Sequence, residues 1–319
     1  MKNRYSNIFT LSKKILNKTI RLLDKGSLAA LPTETVYGLA GNAYSSAAVK
    51  KIFKLKRRPK LNPLIIHYYN IEKVLDDVVV NNNFKKLYKK LCPGPITFIL
   101  KKKTNSKIQP LANAKLNTVA VRFPKHKIVR TILKSINFPL AMPSANVSSG
   151  VSPVSAQDVF DEFKKKIKFI IDGGQSKIGI ESTVIDLTNI PKILRPGIII
   201  PAKIEKILNL KIKNNSHKSV IKSPGMLKKH YSPGLPMLIN QKKSDNKSAF
   251  IYLGNKFKNK NNFFSLSKNS NLNEAASNLY KTFRLIKKKR FKKIQIAKIP
   301  MKGSGIAIND RIKRAANKK

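Results

Sequence analysis

Two segments of the chain concentrate side chains that could bind an anionic substrate. The first, KLKRRPKLNPLIIH at 54–67, places cations before a turn fixed by Pro59 and Pro63. The second, PLAMPSANVSSGVSP at 139–153, supplies hydroxyls and an amide in a loop. Guanidinium and ammonium groups fixed at a turn can bind a polyphosphate, although a solvated charge run also explains the first segment. The donors of the second segment can bind phosphate or a carboxylate, and an ordinary turn is the alternative. Because turns lie at the surface, we expect the Arg58 side chain to be exposed.

Two further segments carry polar side chains beside predicted strands. LPTETVYGLAGNA at 31–43 follows an apolar run, and GIESTVIDL at 179–187 has the same arrangement. Gly38 and Gly41 would let the backbone turn tightly or approach a ligand closely. The density of polar groups favours a site, while a strand, a turn and a capped helix start are the alternative for 31–43. The polar residues concerned are Thr33, Glu34, Thr35, Tyr37, Glu181, Ser182 and Thr183.

One arginine lies inside an apolar strand pattern. The segment NTVAVRF at 117–123 is predicted to be a strand, and Arg122 is embedded among its apolar residues. An unpaired buried guanidinium is very costly, so this charge must be paired or must face a ligand.

The single cysteine, Cys92, excludes several kinds of site. One cysteine can form neither a disulfide nor a cysteine-clustered metal site within one chain. The four histidines show no spacing that pairs one of them with Cys92. We therefore expect a small buried residue there and not a nucleophile.

Alternating helix and strand patterns must position these groups. Over about the first 200 residues their order predicts an α/β domain with a twisted, mixed sheet. Helices are predicted at 12–25, 46–56, 84–91, 128–137 and 156–167, and strands at 27–31, 64–66, 96–100, 117–123, 169–172, 179–187 and 192–194.

The composition changes after Leu210. A polar stretch leads into SPGMLKKHYSPGLP at 223–236, whose prolines would hold it extended over a cleft as a candidate lid carrying Tyr231. The pattern then predicts a strand at 249–253, a loop at 255–271, a helix at 273–288, a strand at 293–296 and a final helix from about 307. This order fits a small Rossmann-like α/β unit that lacks the glycine fingerprint of dinucleotide binding. The predicted domains are 1–210, a linker or lid at 211–236, and 237–319.

The chain is strongly basic, with 66 Lys and Arg against 15 Asp and Glu and a net charge of +51. The cations are mostly lysines spread over the whole length, so we expect a general attraction to anions with little specificity. A double-stranded RNA or tRNA-binding module without catalysis is nevertheless the main alternative that this charge supports. No apolar stretch approaches the 18 or so residues that span a bilayer, and 1–10 lacks an apolar signal core, so a cytoplasmic location is expected.

Eight motifs occur together in a characteristic order. They are LPTETVYGL, KLKRRP with NPLIIH, PGPITFIL, VAVRFP, PSANVSSG, GIESTVIDL, ILRPG and PGMLKKHYSP. In order and spacing they resemble the threonylcarbamoyl-AMP synthase family, the Sua–YrdC group. NEAASNLYKTFRLI and GSGIAINDRIKRAAN resemble the extra C-terminal domain of the long, Sua-type members. The resemblance implies a YrdC-like twisted open mixed sheet with a basic concave face.

The resemblance also implies a reaction. L-Threonine, bicarbonate or carbon dioxide, and ATP with Mg²⁺ would give threonylcarbamoyl-AMP and pyrophosphate, with no resident metal site in the protein. A downstream threonylcarbamoyl transferase complex would then modify adenosine in tRNA, and weak RNA binding by the synthase itself is expected from its charge. A carbamoyltransfer domain or hydrogenase-maturation protein shares this fold, but it would bring zinc-finger cysteines that are missing here.

Site residues follow from the resemblance, position by position. Arg122 would pair with the threonine carboxylate, which would also neutralise its buried guanidinium. The spacing does not decide whether Thr33 or Thr35 contacts threonine. The implied catalytic residues are Lys56, Arg58, Ser144 and Asn146. The implied ATP-binding residues are Arg58, Asn62, Thr118, Asn146, Ser152, Arg195 and Tyr231. The implied threonine-binding residues are Thr35, His67, Arg122, Ser144 and Ser182.

Overall fold

A computed structural model describes residues 7–214, 225–226, 230–245, 247–255, 257 and 260–317. The N-terminal part alternates strands with helices. Its strands are β1 (Ile8–Thr10), β2 (Ala29–Leu31), β3 (Gly38–Asn42), β4 (Ile65–His67), β5 (Val78–Val79), β6 (Ile96–Lys102), β7 (Thr118–Arg122), β8 (Leu140–Ala141), β9 (Ile170–Asp172), β10 (Thr183–Asp186), β11 (Lys192–Arg195) and β12 (Lys213–Asn214). Its α-helices are α1 (Lys13–Asp24), α2 (Ser46–Lys56), α3 (Asn82–Leu91), α4 (Lys127–Lys134), α5 (Ala156–Phe163) and α6 (Pro201–Leu208).

These twelve strands form one mixed sheet. The strand order is β1-β9-β2-β3-β8-β4-β7-β6-β10-β11-β12, with β5 paired to β6. The central β4 runs parallel to β7, whereas β6 runs antiparallel to β7 and parallel to β10. Register places His67 of β4 beside Arg122 of β7, and Arg122 beside Thr97 of β6.

Side-chain alternation along the strands separates two faces of the sheet. Val119 and Val121 of β7 belong to the large core that α2, α3, α5 and α6 cover. Ala120 belongs instead to a small apolar cluster on the opposite face. Because residues two apart share a face of a strand, Arg122 lies on the same side as Ala120, away from the large core. The strand therefore presents its charged end residue to the face where the polar loops gather.

Local signals explain where the helices begin and end. Ser12, Ser45 and Asn81 each accept a hydrogen bond from a backbone N–H of the following first turn, in α1, α2 and α3. Ser155 and Asp158 form a reciprocal capping box at the start of α5. Gly26 follows α1 with a φ of +68°, in the left-handed region where glycine is favoured.

A second, smaller unit follows. It contains β13 (Met237–Leu238), β14 (Ala249–Tyr252), β15 (Phe263–Ser265) and β16 (Ile294–Ile296), with helices α7 (Leu272–Lys288) and α8 (Gly305–Ala316). Its four-stranded sheet is parallel throughout, in the order β13-β16-β14-β15. One apolar cluster joins this unit to the first, because Val36, Val151, Val154 and Ile180 pack with its core residues.

The predicted mixed α/β sheet and the small α/β C-terminal unit are confirmed. Gly38 and Gly41 were expected to allow either a tight turn or a close approach to a ligand; both lie in β3, so no turn forms there. Strand β15 occupies part of the predicted loop at 255–271. The predicted linker falls partly outside the described residues, at 215–224 and 227–229. Its limits stay a prediction. Among the helices that the structure describes, none combines the length and the apolar composition needed to span a bilayer.

Candidate active site

A cleft opens on the face of the sheet that carries Arg122. Five of the residues predicted for the site line it directly: Arg58, His67, Arg122, Ser144 and Arg195. The remaining lining residues are Thr33, Val36, Gly38, Ile65, Met142, Pro143, Glu181 and His230. Segments far apart in the sequence, from β3, β4, β7, β11 and five loops, therefore meet in one volume.

Lys56 is the last residue of α2 and is almost completely buried. Its Nζ donates hydrogen bonds to the carbonyls of Ser144 (2.6 Å) and Asn146 (2.5 Å), and its own carbonyl accepts from the Ser148 N–H (2.9 Å). Burial lowers the pKa of Lys56 well below its usual range, and the nearby Arg58 charge adds to this. Lys56 thus fixes the loop that carries Ser144 and Asn146.

Arg58 follows Arg57, which ends α2 in a left-handed conformation with a φ of +49°. The expectation of an exposed side chain was wrong: Arg58 is 8% exposed. Its Nε donates to the Asn62 carbonyl (2.8 Å) and its Nη2 to the Pro63 carbonyl (2.7 Å). The proline-rich turn curls back over the guanidinium, because its carbonyls supply acceptors that a buried cation needs. Burial and the Arg195 charge lower the pKa of Arg58.

Arg122 already has a carboxylate partner within the chain. Its Nη2 donates to Glu34 Oε1 (2.6 Å) and to Thr35 Oγ1 (2.9 Å), and Glu34 Oε2 accepts from the Lys125 N–H (3.0 Å). The charge of Arg122 is therefore paired within the chain, which is one of the two alternatives that the sequence left open. Its contact with a threonine carboxylate stays a prediction. Burial alone would raise the pKa of Glu34, but the charge and hydrogen bond of Arg122 lower it overall. Glu34 was noticed as polar in the sequence, but its partner lies 88 residues away.

The two threonines of the 31–43 segment have different surroundings. Thr33 lines the cleft, and its Oγ1 donates to the Val36 carbonyl (2.6 Å). Thr35 is fully buried; its Oγ1 lies 2.9 Å from that of Thr33 and accepts from Arg122. Thr33 therefore has the side chain that faces the cleft, while Thr35 orients Arg122.

Arg195 lines the cleft and is held by Ser182. Arg195 Nε donates to the Ser182 carbonyl and Nη2 to Ser182 Oγ, both at 3.1 Å. Ser182 Oγ also lies 2.8 Å from Thr97 Oγ1. Burial lowers the pKa of Arg195. A planar guanidinium held by bonds from two of its nitrogens keeps a fixed orientation towards a ligand.

Glu181 lines the cleft but was missed as a site residue in the sequence prediction. Its carboxylate accepts from Ser152 Oγ (2.5 Å), Tyr280 Oη (2.9 Å to the nearer oxygen) and Arg311 Nε (2.8 Å). Burial alone would raise the pKa of Glu181, but Arg311, Arg195 and these hydrogen bonds bring it down to about 2. Ser152, predicted to contact ATP, here donates to Glu181. The only sequence signal was the polar cluster at 179–187.

Two histidines border the cleft in neutral form. His67 at the end of β4 has a pKa well below its usual range because of burial and the Arg122 charge. Burial lowers the pKa of His230 to about 3. His230 was missed as a site residue; its ring lies 4.0 Å from that of Tyr231. Tyr231 is fully buried, with a φ of +65°, against Tyr280 (ring centroids 5.9 Å apart).

Three other predicted residues stand further from the cleft surface. Thr118 begins β7, four residues and about 13 Å along the strand from Arg122. Asn62 and Asn146 are each 1% exposed, and the Oδ1 atom of each lacks a hydrogen-bond partner among the described residues. Arg122 Nε is unpartnered in the same sense. Buried orphan atoms of this kind are suited to a ligand, because leaving them unpaired is costly.

The arrangement suits the binding of two anionic groups in one enclosed volume. Arg58, Arg122 and Arg195 all line this cleft, together with the neutral His67 and His230. Within the described ranges, no group of three or more His, Cys, Asp and Glu side chains is placed to hold a metal ion. The cleft can therefore orient reactants and stabilise negative charge through fixed hydrogen-bond donors.

Comparison with known proteins identifies the family. A model described as "Telomere recombination" (Sua5_yciO_yrdC) matches residues 21–197, and one described as "Threonylcarbamoyl-AMP synthase, C-terminal domain" matches residues 199–317. The chain is 37% identical to the threonylcarbamoyl-AMP synthase of Pyrococcus abyssi, over 92% of this chain and 91% of the relative. It is 33% identical to that of Bacillus subtilis with the same coverage of both chains. A crystal structure of P. abyssi Sua5 complexed with L-threonine has a TM-score of 0.88 and 32% identity, over 97% of this chain and 96% of that one. Two-domain coverage at this identity means that the chain belongs to the threonylcarbamoyl-AMP synthase family.

Proposed function

We propose that this chain joins L-threonine, bicarbonate or carbon dioxide, and ATP into threonylcarbamoyl-AMP, releasing pyrophosphate. The observation that carries the proposal is the cleft in which Arg58, Arg195 and Arg122 converge on one volume. A substrate with a triphosphate and an amino acid with a carboxylate both need cationic donors, and three arginines line the cleft.

The reaction requires no nucleophile from the protein. The threonine amine adds to bicarbonate or carbon dioxide to give a carbamate, with loss of water in the case of bicarbonate. A carbamate oxygen then attacks the α-phosphorus of ATP, and the bond to pyrophosphate breaks. Holding both reactants in one orientation can contribute about 7–11 kcal/mol to lowering the barrier. Enclosing them also protects the labile product from water.

Each cleft residue has a role in this scheme. Arg58 and Arg195 bind the phosphates as the leaving group gains charge. Arg122, oriented by Glu34, binds the threonine carboxylate through its unpartnered Nε, beside Thr33 and the neutral His67. Lys56 acts as a positioning residue, since its ammonium group holds the loop that presents Ser144 and Asn146.

Magnesium enters this scheme as part of the MgATP substrate. Among the described residues that line the cleft, Glu181 is the one carboxylate, and it is held by Ser152, Tyr280 and Arg311. The ligands of Mg²⁺ would therefore be phosphate oxygens and water, as is usual for this cation.

The product is an activated mixed anhydride, so a second catalyst must consume it. We propose that a threonylcarbamoyl transferase complex moves the group to N6 of adenosine in tRNA. A cytoplasmic location and weak RNA binding by the synthase belong to the same proposal, with the basic composition as the support for the latter.

The test is pyrophosphate release by the purified full chain with ATP, Mg²⁺ and bicarbonate, with and without L-threonine. We expect release to require both threonine and bicarbonate, and serine, which lacks the methyl group, to be the matched substrate control. Folded, ATP-binding protein that releases no pyrophosphate with threonine would contradict the proposal. The alternative of an RNA-binding module without catalysis would then be favoured.

A further inference from the structure

The carboxylate of Glu181, which lines the cleft, is bound by side chains of the C-terminal unit. Glu181 lines the cleft beside β10, whereas its partners Arg311 and Tyr280 belong to α8 and α7. Arg311 is fully buried, and its Nη1 also donates to Asp310 Oδ2 (2.7 Å). Its guanidinium lies 5.0 Å from the centre of the Tyr231 ring. One side chain of the C-terminal unit therefore contacts both the cleft wall and the segment that carries His230 and Tyr231.

The ion pair between Glu181 and Arg311 differs from the other acid–arginine contacts between the two units. Of 15 Asp and Glu residues, three meet arginines across the junction between the two units. Asp158 and Glu162 lie 3.9 and 3.6 Å from Arg284, at partly exposed positions. Glu181 alone among the three lines the cleft, and its ion pair with Arg311 is the shortest, at 2.8 Å.

The negative charge of Glu181 affects the binding of ATP, because the triphosphate in the cleft is also negatively charged. A carboxylate beside a triphosphate repels it, and Arg195 is near enough to contribute to the charge balance of Glu181. Without Arg311, the carboxylate would gain most by turning to Arg195. It would then compete with phosphate for that guanidinium.

We propose that Arg311, supported by Tyr280, is a positioning residue for ATP: it neutralises Glu181, so that the carboxylate does not compete with the phosphates for Arg195. This inference rests on the proposed function and extends it to the C-terminal unit. That unit is then required for substrate affinity in the cleft, although it contributes no side chain to the cleft lining within the described residues.

The experiment compares Arg311→Met with wild type in threonine-dependent pyrophosphate release by the full chain. We expect KM for ATP to rise by at least about tenfold, with a much smaller change in kcat and in KM for threonine. In the double variant Glu181→Gln/Arg311→Met no carboxylate needs neutralising, and the amide oxygen at position 181 can still accept from Ser152 and Tyr280. We expect its KM for ATP to return to within about threefold of wild type.

Arg284→Met is the matched control, because it removes the other arginine that joins the two units to acidic residues. The KM for ATP of Arg284→Met should not fall when Glu181→Gln is added.

If Arg311→Met fails to fold, the double variant Glu181→Gln/Arg311→Met still tests the inference, since it buries no unpaired charge. A double variant that folds with KM for ATP raised tenfold or more overturns the inference, and so does an Arg311→Met variant with unchanged KM. Absence of turnover in wild type would instead count against the proposed function.

Discussion

At the scale of single residues, the cations of this cleft are held by hydrogen bonds that also support the fold. Arg58 bonds two carbonyls of its own turn, Arg195 bonds Ser182, and Lys56 bonds the loop at 144–146. A buried cation is stable only with such acceptors. Binding function and local stability therefore cannot be separated cleanly at these positions.

Arg58→Ala tests this dual role. We expect loss of pyrophosphate release together with a lower unfolding temperature. The carbonyls of Asn62 and Pro63 would lose their donors, and a buried unpaired acceptor costs about 1–3 kcal/mol. Thermal unfolding monitored by circular dichroism gives the second readout.

The matched control for that variant is Lys54→Ala, which removes an exposed cation from α2, the helix that precedes Arg58. Its stability should change by less than about 0.5 kcal/mol. An Arg58→Ala protein that loses activity but unfolds at the wild-type temperature would show that the two carbonyls are not stabilised by Arg58.

At the scale of elements, the glycines of β3 allow close packing and not a turn. A Cβ at Gly38 would lie 2.3 Å from Met142 Cγ, and one at Gly41 would lie 2.8 Å from Leu28 Cδ2. Both distances are far below van der Waals contact. Strand β3 needs glycine because the side chains of neighbouring segments cross over its backbone.

Gly38→Ala should therefore displace Met142, which also lines the cleft. We expect a loss of about 1–3 kcal/mol in the free energy of unfolding, as is typical when a methyl group is forced into a packed core. Denaturant unfolding would measure it. Met142→Ala makes room, so the double variant should be more stable than the sum of the two single changes predicts. Strictly additive effects would contradict a contact between these residues.

The same elements show what the sequence could and could not predict. Helices α1 and α2 were predicted within one residue at either end, because Ser12 and Ser45 cap patterned apolar faces. Strand β3 was missed because Gly38 and Gly41 have low strand propensity, and its pairing with β2 and β8 stabilises it instead. The motifs led to Arg58, His67, Arg122, Ser144 and Arg195 in the cleft. The partners Glu34 and Arg311 were not predicted, because pairs separated by 88 and 130 residues depend on topology.

At the scale of the whole molecule, several of the 15 acidic residues are buried and engaged by internal partners in the parts of the fold described above. Glu34 and Glu181 are buried in ion pairs with arginines, and Asp77 accepts hydrogen bonds from Tyr44, Tyr68 and Ser106. Few acids are left to balance the net charge of +51. Most of the molecule therefore attracts polyanions without presenting a specific face to them.

This view predicts how the chain binds RNA. We expect tRNA and an unrelated double-stranded RNA of equal length to bind with similar affinity, because contacts from dispersed lysines to phosphates carry no sequence information. For about six phosphate contacts, the affinity should fall roughly a thousandfold between 50 and 200 mM salt. Fluorescence anisotropy over a salt series measures both quantities. A preference for tRNA that persists at high salt would instead reveal a specific RNA face, and it would revive the binding-module alternative as a second activity of the same molecule.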